Sequence, residues 1–461
     1  MSRAFGPGSP LIFLRAVDVA RTEARYNTHV AATPVYRGPF GAAQAERLLW
    51  RAGFGPRKGE AAALARKGLR GAVRSLTRPG AEHLVGPEPT DAQGRPLAPF
   101  DAAGHDHMWW LDRMVRTSRP LVERMALVWH DWFATQRVGG IPQKGMLDQN
   151  ELFRRNALGS FAQLLEDVTK DPAMLRWLNG DKNTVRSPNE NYAREMMELF
   201  TLGVNRGYTE QDIREQARAL TGWRGIRRRA EGIYDFVYEP RLHDPGTKTV
   251  FGKTGAFAWQ DACRLCLQHP NHPSFFVAKL WSYFVPTAPP RATQRALEAL
   301  YRDGYQVRPL VEAILQHPAL YTGPRLVKPP AVYAAGLLRA TGGGVRGANW
   351  ANLGATAGQR LFRPPNVAGW DDKRWLDTST FRGRWLLAGA ALQSTGSAAT
   401  PRNAKALVDR AAAGLGIRSL TKPTRTVATR LAADALRSNA PDVAERAVRQ
   451  LLALSPEVQT C

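Results

Sequence analysis

Asn191, Arg194, Glu195 and Glu198 recur at spacings of three and four residues. On a helix that spacing brings an amide, a guanidinium and two carboxylates to one face. Two carboxylates on a shared surface can move protons or ligate a metal, and the arginine beside them can bind an anion. Ala193, Met196, Met197 and Phe200 form an apolar stripe on another face, which would turn to the core. Arg214 and Arg218, four residues apart on the next helix, are expected to meet these acids. An ordinary solvated or ion-paired face is the alternative for the same residues.

Two histidine segments are the next chemical candidates. His130 lies between Trp129 and Asp131 in a run of bulky residues, and His243-Asp244 lies in a polar turn. With Glu195 and Glu198 they are expected to supply an acid–base pair or an all-side-chain site for a divalent metal, the metal itself left unspecified. For His130, a satisfied core histidine is the competing reading. We expect His130, Arg194, Glu195, Glu198 and His243 to converge in one pocket.

Other patterns fall short. Cys263, Cys266, His269 and His272 step by three, drifting around a helix without the separated pairs that wrap a zinc ion. Residues 246–254 end in Gly252-Lys253-Thr254, but five residues separate the glycines where a phosphate loop has four. No Gly-x-Ser-x-Gly elbow is present. Trp370, Trp375 and Trp385, interleaved with Lys373, Arg374 and Arg384, read either as a stacking platform or as core.

The elements that must position these groups are mostly helical. Ser187-Pro188-Asn189-Glu190 predicts a helix start closed by a capping box, running to Leu202 and stopped by Gly203. Thr209 with Asp212 predicts the next start, and Gly222 its end. Residues 1–38 read as an extended arm. A helix pair follows from Ala42, a proline-rich loop over 78–100, and a long helical region over about 105–178 broken near Gly139-Gly140. Alternation of Tyr234, Phe236 and Tyr238, then of Thr247, Thr249 and Phe251, predicts a small β-hairpin or irregular insert over about 230–256. The expected fold is mainly α, with one large multi-helix domain over 39–390 and a C-terminal helical extension over 391–461.

Composition bounds the rest. Across 461 residues, 44% are hydrophobic, ample for a packed core, so global disorder is excluded. The net charge of +24, spread as arginine along the chain, favours anionic partners, although arginine-rich coding bias is an equally simple source. Nucleic acid fits the charge, but no reader module accompanies it. Three cysteines make no disulfide framework. The apolar run at 11–14 is too short for a signal core or a membrane span, so a cytoplasmic location is expected, with export as the alternative.

The string Ser187-Pro-Asn-Glu-Asn-Tyr-Ala-Arg-Glu-Met-Met-Glu-Leu-Phe-Thr-Leu-Gly203, with Gly207-Tyr-Thr-Glu210 and Ala217-Arg-Ala-Leu-Thr-Gly-Trp223, closely resembles the bacterial domain of unknown function 1800 family. Trp129-His-Asp-Trp-Phe-Ala134, Lys170-Asp-Pro-Ala-Met174, Val327-Lys328-Pro329 and Pro364-Pro-Asn-Val-Ala-Gly-Trp370 agree with it, over roughly residues 40–390. The resemblance implies no defined activity. It does imply a neighbourhood with sulfatase-like or phosphatase-like partner proteins, and exported relatives. The expected function is an acid–base or metal-assisted enzyme acting on an anionic polymer or ester, with Glu195, Glu198, His130, His243 and Asp244 as catalytic groups. Asn191, Arg194, Arg218, Lys328 and Trp370 are expected to bind the substrate. The alternative is a non-enzymatic basic scaffold that binds an anionic polymer or a sulfatase-like partner protein.

Overall fold

Helix Pro120–Trp132 is apolar almost all round, the pattern of an element enclosed by others rather than lying on a surface. Its Leu121 and Met125 are buried, and its Trp129 and Trp132 pack on Phe161 and Phe276, whose ring centroids are 4.5 Å apart, with Phe276 stacked on Tyr301 at 4.1 Å. Each such ring contributes roughly 1.5–3 kcal/mol of burial free energy, so this aromatic centre anchors the helices that surround it. The computed structural model describes residues 33–137, 141–228, 232–393, 400–438 and 440–461. Most of the expected arm and the Gly139-Gly140 break lie outside them.

The fold is mainly α with a small β insert, as the periodicities predict. Trp223–Arg228 pairs antiparallel with Gly232–Tyr238, and Lys248–Val250 with Lys253–Gly255, so the insert begins slightly earlier than the alternation suggests. The C-terminal helices Ala404–Gly414, Lys422–Ser438 and Pro441–Ala453 follow, and the chain returns to the main body. There Thr460 bridges Val327, and Arg384 binds both the Lys328 carbonyl and Gln459. No helix among the described residues is long and apolar enough to cross a membrane.

One buried carboxylate shows what a satisfied core charge looks like here. Glu123 is 1% exposed yet accepts Arg154 at 2.8 and 3.0 Å and the Trp110 indole at 2.7 Å. Burial pushes its carboxyl up, but Arg154 and its other partners outweigh that and hold it below its ordinary range.

Candidate functional site

The motif helix starts later than its capping signature predicts. Ser187 is in a turn, its N–H donating to the Thr184 carbonyl, and Asn183 and Asn189 in succession accept the backbone N–H groups of Asn189 and Asn191. The asparagine turns take the donors that the serine would have capped, and the helix begins at Asn191. From Met196 to Thr201 it widens into a π-turn, a geometry found disproportionately at functional sites. Thr209 behaves as predicted, exchanging hydrogen bonds with Asp212 in a capping box.

The charged face is paired within itself. Arg194 meets Glu190 at 3.1 Å, Glu198 at 3.4 Å and Glu210 at 2.6 Å, and Arg214 reaches Glu190 at 3.6 Å. Glu195 makes no hydrogen bond or ion pair among the described residues. Burial, then Glu198, raises its carboxyl, with Arg194 opposing. Asn191 is exposed at the helix start.

Arg218 turns away from this face. It binds Asp244 at 2.7 Å and Glu215 at 2.8 Å, holding Asp244 below the usual carboxylate range. His243 lies beside it, its Nδ1 3.1 Å from the Thr221 carbonyl, while the Asp244 N–H donates to the Thr221 hydroxyl. Burial lowers the His243 ring below its ordinary value. Buried Lys248 donates to the carbonyls of Asp244 and Gly246. This turn therefore locks the β insert to the end of helix Glu210–Ala219.

His130 is 1% exposed and lies in an aromatic cage, 5.2 Å from Trp110, 5.6 Å from Phe362 and 5.4 Å from Trp370 between ring centroids. Burial lowers it to about 3, so the ring is neutral; among the described residues its Nε2 has no partner, nor does the Trp370 indole N–H. Lys328 lies elsewhere, its ammonium 3.4 Å above Trp50. The expected single pocket is thus not formed: Arg194, Glu195 and Glu198 share the motif face, His243, Asp244 and Arg218 the insert turn, and His130 and Trp370 the aromatic core.

The group that sequence reasoning passed over is Asp131. Its carboxylate accepts the Tyr283 hydroxyl at 2.8 Å and the Trp370 backbone N–H at 2.8 Å. Gly369 makes that approach feasible, with φ of +91° and a position where a Cβ would overlap the Asp131 carboxylate and come within 2.8 Å of its carbonyl oxygen. Lys279, one turn before Tyr283 on helix His272–Ser282, donates to the Leu199 carbonyl of the π-turn at 2.9 Å and lies 4.4 Å over Trp132. Three of the motif segments therefore meet here: 129–134, the π-turn, and 364–370.

Electrostatics set this centre apart. Burial raises the Asp131 carboxyl, opposed by its hydrogen bonds from Trp370 and Tyr283 and by Lys279. The same burial lowers Lys279 to about 8, opposed by Asp131. Tyr283 is raised well above its ordinary value, chiefly by burial and then by Asp131. Arg124, 4% exposed, lies within the electrostatic reach of Asp131 and Tyr283, and its Nε and Nη1 have no partner among the described residues. Asp131, Lys279 and Tyr283 are each partly rather than fully covered. Among the described residues no three His, Cys, Asp or Glu side chains gather as a metal set.

No curated protein and no solved structure matches this chain. One family model does, over residues 47–460, which takes in the motifs that build the Asp131 centre and runs on through the C-terminal helices. The chain belongs to the family described as protein of unknown function (DUF1800).

Proposed function

We propose that this protein is an acid–base enzyme acting on an anionic ester or polymer, with Asp131 as the proton acceptor and Lys279 as the proton donor. The observation that carries this reading is the opposed displacement of the two groups. One environment raises a carboxyl and lowers an ammonium, bringing both toward neutral pH, where proton transfer is most effective. Tyr283 and the Trp370 N–H orient the Asp131 carboxylate, and Arg124 supplies positive potential behind it. The motif face with Glu195, Glu198 and Arg194 supports the π-turn that Lys279 grips.

The scaffold reading has its own support in the net charge of +24, and the ion pairing of the Arg194 network leaves little there for chemistry. In that reading the chain holds an anionic polymer or a sulfatase-like partner protein. The two are separated by assaying the full chain against chromogenic sulfate, phosphate and carboxylate esters across the pH range. The enzyme reading expects a bell-shaped profile whose alkaline limb lies near pH 8, as Lys279 loses its proton. Asp131→Asn should then lower the rate by roughly 10²–10⁴-fold. Turnover that is absent on every ester, or equal in Asp131→Asn, favours the scaffold.

A further inference from the structure

A cavity of 280 Å³ opens between helices Ala42–Arg51 and Pro330–Thr341 and the segments 415–419 and 457–461. It shares no lining residue with the Asp131 centre. Its apolar wall includes Trp50, Leu337 and Ile417, and its polar wall carries Arg47, Arg325, Lys328 and Arg418.

Three cations of this wall, Arg47, Arg325 and Lys328, are held mainly by carbonyls. Lys328 is 1% exposed, yet its ammonium donates only to the Val458 carbonyl, at 2.7 Å. Arg47 donates to the carbonyls of Gly323 and Pro324 at 2.6 and 2.9 Å, and its buried Nε has no partner. Arg325 reaches the Pro456 carbonyl at 3.4 Å and the Thr460 hydroxyl at 3.3 Å. Among the described residues none of these three bonds a side-chain carboxylate. The two side-chain carboxylates that line the cavity are already engaged, and Cys461 on the same wall offsets part of the burial of Arg47 and Lys328. Glu46 pairs with Arg418 at 2.6 Å, and Glu457 accepts the Thr421 N–H and the Thr424 hydroxyl.

A buried cation held by one carbonyl and the face of Trp50 is still costly, and an anion in the adjoining space would relieve that cost. Burial lowers Lys328 to about 7, with Cys461 and Glu46 opposing. Several N–H donors on one wall match the geometry of a tetrahedral oxyanion, which accepts from many directions at once. The volume suits a small molecule and the apolar wall suits its organic part.

We propose that this cavity binds a small organic phosphate or sulfate monoester, its oxyanion held by Arg47, Arg325, Arg418 and Lys328 and its organic part against Trp50, Leu337 and Ile417. The site is independent of the acid–base reading.

Calorimetric titration of the full chain with phenyl phosphate and phenyl sulfate tests it, with inorganic phosphate, inorganic sulfate and chloride as controls at equal ionic strength. Saturable binding of a phenyl ester is expected, tighter than that of the corresponding inorganic ion, and the stronger ester identifies the oxyanion. Arg325→Gln, at an exposed position, and Lys328→Met should each weaken it at least tenfold, while Asp131→Asn leaves it unchanged. A thermal melt of each variant confirms folding, and Arg325→Gln alone decides the matter if Lys328→Met does not fold. Ester binding no stronger than the chloride response, or undiminished in Arg325→Gln, would overturn the proposal. Loss of binding in Asp131→Asn would place the ester at the other centre and overturn it equally.

Discussion

The Arg194 face and the Asp131 centre adjoin, since the Trp132 indole donates to the Phe200 carbonyl of the π-turn, yet they treat charge in opposite ways. On the Arg194 face one guanidinium meets three carboxylates, all partly or largely exposed, and only the Glu195 carboxylate stays outside the pairing. At Asp131 a carboxylate is held by a hydroxyl and a backbone N–H, with its nearest cation engaged to a carbonyl. The first arrangement consumes charge in mutual pairing. The second leaves proton affinity displaced and available, and this is why chemistry is assigned to the second.

The comparison breaks most visibly at Gly369. Gly369→Ala puts a methyl against Asp131 in a left-handed conformation, and we expect a loss of about 3 kcal/mol in unfolding free energy by denaturant titration. The same substitution at an exposed left-handed glycine with open space around it, such as Gly94, should cost about 1 kcal/mol. Equal losses would show that the 364–370 loop does not press on Asp131.

Acid acts on the buried rings of the whole fold. His107, His130, His272 and His317 are buried, and burial lowers them to about 3, 3, 4 and 4. Below their ordinary value of 6.5 the unfolded chain takes up protons that the fold refuses. Stability is therefore complete above about pH 6.5 and is lost as pH falls toward 4, with a limiting slope of roughly 1.4 kcal/mol per pH unit for each ring. Chemical denaturation at stepped pH measures it, and His130→Phe should make the slope shallower.

Smaller effects of opposite sign separate the two regions. Asp131→Asn keeps an acceptor for the Trp370 N–H and removes a charge that burial disfavours, so stability at neutral pH should hold or rise while reactivity is lost. Arg194→Met should cost about 1 kcal/mol or less, and the cost should shrink further in high salt because its partners are near the surface. A destabilised Asp131→Asn beside a neutral Arg194→Met would reverse the assignment.

Local chemistry was legible in the sequence where its partners are close in the chain. Thr209 and Asp212 cap as read, and the alternating residues near 234–251 form the strands that they predict. Ser187 misled because Asn183 and Asn189 compete for the same backbone donors, a contest that the capping pattern does not reveal. Arg218 was placed near the acids of the preceding helix, but the insert folds back and offers it Asp244 instead. Asp131 was visible only as the neighbour of His130. Its partners are Tyr283 and Trp370, 152 and 239 residues away, and its acidity is set by packing that no local spacing encodes. A carboxylate held between Trp129 and Trp132 in an apolar helix was the available signal.

The most direct test is the titration of Lys279 itself, read as the pH dependence of its modification by an amine-selective reagent and quantified by mass spectrometry. Half-maximal reactivity is expected near pH 8 in the native protein, and at lower pH in Asp131→Asn, because Asp131 is the charge that holds the ammonium up. A midpoint near the ordinary lysine value of about 10.4, unmoved by Asp131→Asn, would contradict the assignment of Asp131 and Lys279 as a coupled acid–base pair.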